Sequence, residues 1–311
     1  MQDTTRRASA TRKEHAGAPP GPPPQGGSPP SRGVRRDLAP PGPPPQGGSP
    51  PSIIDWAEQW RSLVAERAAA AGGHGDPSYW DRRAPTFARS TQARSDKFLD
   101  VVAPYLSLRK TLIDVGAGSG RHAFPLAERL EWVTAVEPSE GMRSLIPQRD
   151  NMTVVASNWE DAAVAPADLV ICCHVLYGIE DPVPFIAKME LSARERIFIM
   201  LRESPMVHLG AVVRERLLGE EPRLPRFSDL FMLLMQMGIA PDVDFTSYPN
   251  PQRYAGMDEA LADCEAMIGE SWDGVKARTI LEDLLAPEGG ELVFNGGVTL
   301  SGIAHWRPQT N

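Results

Sequence analysis

Apolar positions along this chain follow two alternating rhythms. Short apolar runs at 111–115, 132–137, 152–156, 168–173 and 195–201 read as strands, and the stretches between them read as helices. That alternation predicts a parallel sheet with helices packed on it, an α/β fold. Ser139 is placed to cap the helix after the second strand. Asp181-Pro182 opens the helix after the fourth, with proline in the first turn, where its missing N–H costs little.

Upstream, Trp56, Trp60, Leu63 and Val64 recur at helical spacing, with Ser52 as the expected N-cap. A Gly-rich break follows, then Tyr79-Trp80-Asp81-Arg82-Arg83-Ala84-Pro85-Thr86-Phe87, then a helix expected from about Ala88 to Leu106. Beyond Leu201 the chain turns helical and rich in methionine. The stripe Phe231 to Met237 reads as core or as a pliable apolar pocket wall rather than a cofactor box. Strands return at about 243–248 and 298–306.

Composition removes the first 52 residues from this core. They hold 14 of the 31 prolines, 8 of the 27 glycines and no aromatic residue. Such a segment cannot bury enough apolar surface to offset the entropy of ordering it, so it is expected to be disordered. Within it, Ala18 to Ser31 recurs exactly as Ala39 to Ser52. The glycine spacing breaks a collagen period, which leaves a partly extended polyproline linker. The domain division expected is therefore 1–52 as tail and 53–311 as one body: a helical cap over 53–106, a ligand-binding core over 107–203, and substrate-side helices with two last strands over 204–311.

Charge is uneven. The tail carries seven Arg or Lys against three Asp or Glu, so the net −8 of the chain leaves about −12 on the body (−8 minus 4). An acidic body is a poor platform for phosphate backbones, and nucleic acid is not the expected partner. Cys172, Cys173 and Cys264 have no metal-ligand spacing and read as buried small hydrophobes of a reducing compartment. No apolar run reaches the ~18 residues of a membrane span. No hydrophobic stretch follows Arg6-Arg7, so cytoplasmic residence is the expectation. Oligomeric state is not legible.

The chemistry concentrates at Thr111-Leu112-Ile113-Asp114-Val115-Gly116-Ala117-Gly118-Ser119-Gly120-Arg121. A strand ends near an acid, three alternating glycines follow, and a helix is expected from His122 to Leu130. This is where open α/β sheets bind nucleoside ligands, with helix N–H groups offered to an anionic part. The dinucleotide pattern G-x-G-x-x-G fails, because Arg121 stands where its third glycine belongs. A nicotinamide oxidoreductase is disfavoured accordingly. Glu137, at the end of the second strand and 21 residues beyond Gly116, can take both ribose hydroxyls of an adenosine.

Loop, acid and strand order together resemble the class I S-adenosylmethionine-dependent methyltransferases. The resemblance implies a Rossmann-like, doubly wound, seven-stranded and mostly parallel sheet whose last strand inserts antiparallel, with S-adenosyl-L-methionine as cofactor. It implies that Asp114 recognises the cofactor's amino group, directly or through water, although an Asp here can also cap the loop. Gly116, Gly118 and Gly120 would give close backbone approach, and Glu137 would hold the ribose. Asn158 and Trp159, with Glu160 as alternate, fall at the adenine place; Trp159 either stacks on the base or caps the core. Cys173 and His174 fall beside the transferring methyl, with Tyr177 one turn along. His174 is the best-placed base, or else a packing histidine; His208 and His305 are weaker candidates. Arg202 and Glu203 either touch substrate or form an ion pair. Tyr79, Trp80 and Arg83 resemble lid residues that cover the cofactor in small-molecule methyltransferases, or they dock a helix on the sheet.

The Asn-Pro-Pro-Tyr signature of many amino-group DNA and protein methyltransferases is absent after the fourth strand, and so is a Cys pair arranged for RNA C5 methylation. A small-molecule acceptor is the expectation. The rivals are an RNA or protein methyltransferase on the same fold and a catalytically silent cofactor-binding scaffold.

Overall fold

The computed structural model describes residues 54–71, 80–81, 83–84, 97–204, 207–219 and 223–309. The tail, Ser52, Tyr79 and the first part of the helix expected from Ala88 lie outside the described residues.

The strands are β1 (Thr111–Val115), β2 (Trp132–Val136), β3 (Met152–Val155), β4 (Ala167–Cys173), β5 (Ala193–Arg202), β6 (Asp242–Tyr254), β7 (Ala286–Glu288) and β8 (Glu291–Trp306). They form one sheet in the order β3-β2-β1-β4-β5-β8-β6. The first five are mutually parallel, and β8 runs antiparallel between β5 and β6. The seven expected strands are thus present in a doubly wound sheet. An eighth, β7, pairs only with β8 and was not read from the sequence. β6 and β8 run to 13 and 16 residues, well past the expected spans. Their pairing extends from Asp242↔His305 to Tyr254↔Leu292 and shifts register between Pro249 and Pro251. Prolines argue against a strand unless it lies at an edge, and β6 is an edge.

The helices are α1 (Trp56–Ala71), α2 (Lys97–Val102), α3 (Ala123–Leu126), α4 (Glu140–Arg143), α5 (Pro182–Ser192), α6 (Leu209–Leu218), α7 (Phe227–Gln236), α8 (Met257–Ile268) and α9 (Gly274–Leu284). Asp55 caps α1: its Oδ1 accepts from the N–H groups of Ala57 and Glu58 at 3.0 and 3.3 Å. Ser139 caps α4 by accepting from Met142 N–H, and Asp181-Pro182 starts α5.

Period-two alternation splits the strands between two core layers. Val170, Cys172, Ile197, Ile199 and Ala304 pack with Trp60, Phe185, Ile186 and Leu230. Leu169, Ile171, Phe198, Met200 and Ile303 pack with Phe98, Val102 and Leu126. Cys172 and Cys173 fall on opposite sides accordingly. In α7 the leucines Leu230, Leu233 and Leu234 are buried, whereas Met232 and Met235 point outward. The stripe Phe231 to Met237 is thus core on one face, with Leu233 and Leu234 buried and Phe231 and Met237 packed against the same cluster, because helical spacing divides it between two faces. A third cluster, with Leu209, Tyr254, Cys264 and Phe294, joins α6, α8 and α9 to the β6–β8 ribbon. No helix among the described residues is long and apolar enough to cross a membrane.

Candidate active site

The glycine turn hangs on the end of β2. The carbonyl of Val136 accepts the N–H groups of both Gly116 and Ala117, at 2.8 and 3.0 Å. Gly116, Gly118 and Gly120 all have positive φ, at 67°, 57° and 78°. That conformation strains any residue with a Cβ. Their surroundings differ. A Cβ on Gly116 would lie 2.4 Å from Val175 Cγ2, and one on Gly120 would lie 3.1 Å from Ile146. Above Gly118 nothing comes within 4 Å. Two glycines therefore let protein pack closely, and the third leaves the backbone open to a ligand. The helix after the turn is shorter than the expected 122–130: α3 ends at Leu126 and continues as a three-residue 3-10 turn. Four residues carry little macrodipole, so the turn and its acids, rather than a helix end, set the electrostatics.

Asp114 is buried on β1, 1% exposed. Burial pushes its carboxyl up to about 6, against the opposing pull of His122 and the Ala123 N–H. Its Oδ2 has no hydrogen-bond partner among the described residues. Glu137 lies beside it at the end of β2. Its Oε2 accepts from Gly118 N–H at 2.8 Å and its Oε1 from Ser139 N–H at 2.9 Å. Burial raises the Glu137 carboxyl as well, partly offset by those two N–H groups and by Arg143. Glu137 thus holds the tip of the turn, and each oxygen keeps a lone pair for another donor.

At the adenine place, Asn158 and Glu160 are exposed. Trp159 is buried at 3% exposure, packs on Phe185 at 6.3 Å and donates its indole N–H to the Phe185 carbonyl at 3.2 Å. Its ring belongs to the core, which corrects the stacking alternative. Lys188 pins this turn: its ammonium donates to the carbonyls of Trp159, Glu160 and Ala162 at 2.6, 2.9 and 2.8 Å.

The cap segment bridges two regions. Asp81, next to half-buried Trp80, accepts from Ser139 Oγ at 2.6 Å and from Gly141 N–H at 2.9 Å, beside Glu137. Arg83 instead pairs with Asp263 at 2.7 Å and reaches His208 Nε2 at 2.8 Å. Tyr254 donates to the same Asp263 at 3.1 Å. His208 also caps α6 through Gly210 N–H. Arg83 and His208, nominated separately, therefore meet in one network around Asp263.

The transfer side gathers around His174, just past β4. Its φ is +61°, the one positive value on a non-glycine residue among the described residues. Its N–H donates to Met200 O at 2.9 Å. Nδ1 lies 3.0 Å from Tyr177 Oη and Nε2 lies 3.4 Å from Tyr248 Oη. Tyr177 Oη also accepts from Arg202 N–H at 2.9 Å, and burial pushes its phenol up to about 12. The Arg202 guanidinium sits 5.2 Å from the Tyr177 ring centre. Cys173 lies on the sheet face next to Met200. Glu203 caps α7 through Ser228 N–H at 2.8 Å rather than pairing with Arg202. His305, the cross-strand partner of Phe198, has both ring nitrogens engaged, by Arg196 and by Asp244. Tyr248 was missed, since a lone tyrosine in a proline-broken strand carries no signal.

A left-handed backbone at histidine costs about 1 kcal/mol that glycine would not incur. His174→Gly is therefore expected to melt above His174→Ala, by a few degrees in thermal denaturation. Equal melting temperatures would show that the backbone is not strained there.

A family model described as a methyltransferase domain matches residues 113–194, from β1 to the start of β5. An uncharacterized protein of Haemophilus influenzae is 24% identical over 207 residues, covering 62% of this chain and 76% of that relative. Among solved structures, a Bacillus halodurans protein assigned as a methyltransferase is 14% identical, covering 69% of this chain and 98% of that one, with a TM-score of 0.48. The magnesium protoporphyrin IX methyltransferase of Synechocystis is 12% identical, covering 81% and 88%, with a TM-score of 0.40. The part of the chain that matches the methyltransferase-domain family, residues 113–194, is the part that holds the glycine turn between its two acids.

Proposed function

We propose that the protein binds S-adenosyl-L-methionine over the glycine turn and transfers its methyl group to a small-molecule acceptor. The observation that carries this reading is Asp114 Oδ2, a buried carboxylate oxygen with no hydrogen-bond partner among the described residues, on the strand that leads into the glycine turn where Gly118 is open. A buried polar atom left unpaired costs about 1–3 kcal/mol, and an ammonium donor removes that cost. The cofactor's amino group has that chemistry, and Glu137 retains acceptor capacity for two ribose hydroxyls. Bound cofactor would supply a methyl group on a cationic sulfur that departs as a neutral thioether.

The chain then has to orient the acceptor and manage its proton. With Nδ1–H donating to Tyr177 Oη, His174 presents its Nε2 lone pair toward Tyr248. Nε2 takes the acceptor's proton, directly or through the Tyr248 hydroxyl, as the acceptor bonds to the methyl carbon. The positive φ at His174 supports this role, because strain of about 1–3 kcal/mol persists where a side chain's aim matters. The acidic body supports a small molecule over nucleic acid.

Incubating the protein with labelled cofactor and a metabolite extract tests the reading. A low-mass product heavier by one methylene is expected by mass spectrometry. Label entering only RNA or protein, or none at all, would overturn it. His174→Ala is expected to lower turnover by about 10²–10⁴-fold with cofactor affinity unchanged. Turnover at the unmodified rate would retire the histidine as a base.

A further inference from the structure

Next to His174, polar residues from four elements close into a ring. Arg202 on β5 is the cross-strand partner of Ser301 on β8. Ser301 pairs in turn with Thr246 on β6, and the next pair on that face is Thr299 with Tyr248. Antiparallel partners project to the same side of a sheet, as do residues two apart on one strand. A Cβ on Gly302 would run into Phe227 on α7, so Gly302 faces α7 and Ser301 faces the other side. Tyr248 reaches His174, which reaches Tyr177, and the Tyr177 ring faces the Arg202 guanidinium. Val175, the neighbour of His174, packs under Gly116, so the ring adjoins the glycine turn.

Three atoms of this ring are buried with no hydrogen-bond partner among the described residues: Thr299 Oγ1, Ser301 Oγ and Arg202 Nε. Thr299 is 1% exposed and Ser301 is 0% exposed. Sheet residues in such positions are ordinarily apolar, and buried hydroxyls are ordinarily bonded. A guanidinium and two hydroxyls side by side make a donor set, and the edge of an arginine matches the two oxygens of a carboxylate.

We infer that the methyl acceptor is a small molecule bearing a carboxylate, and that Arg202, Ser301 and Thr299 hold that carboxylate while the methylated atom faces His174 and Tyr248. This rests on the methyl-transfer reading of the site. The carboxylate anchors and orients the acceptor, so Arg202 sets which molecules enter.

Saturation-transfer NMR on the full-length protein, alone and loaded with S-adenosylhomocysteine, provides the test. The probes are benzoate, phenylacetate, indole-3-acetate and octanoate, each paired with its amide, together with phenyl phosphate. Acids are expected to receive saturation and amides not. Arg202→Met is expected to abolish the acid signal and Arg202→Lys to weaken it, with S-adenosylhomocysteine affinity by calorimetry unchanged in both. Ser301→Ala removes an unbonded buried hydroxyl, and is expected to raise the melting temperature by about 2–4 °C while weakening acid binding. Acids and amides binding alike, phenyl phosphate binding alone, no acid binding at all, or acid binding that survives Arg202→Met would each overturn the inference. Failure to bind S-adenosylhomocysteine would instead count against the methyl-transfer reading, since the acid signal is also read without it.

Discussion

Glu137→Ala is expected to weaken S-adenosylhomocysteine binding by two orders of magnitude or more in calorimetry. Two losses combine. The carboxylate's hydrogen bonds to ribose hydroxyls disappear, each worth about 1.5–3 kcal/mol when one partner is charged. The N–H of Gly118 also loses its acceptor, so the tip of the turn is no longer tied to the end of β2. Glu137→Gln separates the two effects. Its amide oxygen can still accept from Gly118 while the charge is gone, and an intermediate affinity is expected. Affinity unchanged in the alanine variant would contradict the ribose assignment.

Asp114→Asn is expected to move stability and binding in opposite directions. Burial holds the Asp114 carboxyl near 6, above its ordinary 3.8. The folded state therefore disfavours the charged form. That penalty is fully present above about pH 6 and fades as pH falls toward the ordinary value. A shift of that size corresponds to about 2–3 kcal/mol. The asparagine variant should be more stable than the parent at pH 7.5, with the difference disappearing near pH 4. Cofactor binding should fall by about 10–100-fold, because a charge-assisted bond to the amino group is lost. In the parent protein, affinity should decline below pH 6 as Asp114 takes up its proton, and the variant should show no such decline. Denaturant melts at two pH values and calorimetry across pH 5–8 read both effects. A variant less stable at neutral pH, or one that binds as tightly as the parent, would contradict this account of Asp114.

The parts of this protein that were legible in its sequence are those set by neighbours in the chain. β1 to β5 follow from local runs of apolar residues, and Ser139 and Asp181-Pro182 mark helix starts by chemistry confined to one turn. The alternating glycines fix a turn wherever they stand. The parts that were not legible depend on distant partners. Asp81 finds Ser139 across 58 residues, and Arg83 finds Asp263 across 180. Lys188 reads as an ordinary surface lysine until the fold sets three carbonyls around its ammonium. Trp159 was ambiguous because an aromatic past a strand end serves a core or a ligand equally well; Phe185 decides it. Pro249 and Pro251 concealed the length of β6, and only its edge position explains how they are tolerated.

A crystal structure with S-adenosylhomocysteine measures the central claim most directly. The account predicts the nucleoside lying over Gly118, its amino group against Asp114 Oδ2 and its ribose hydroxyls on Glu137. A nucleoside bound elsewhere on the sheet, or one whose amino group turns away from Asp114, would contradict it.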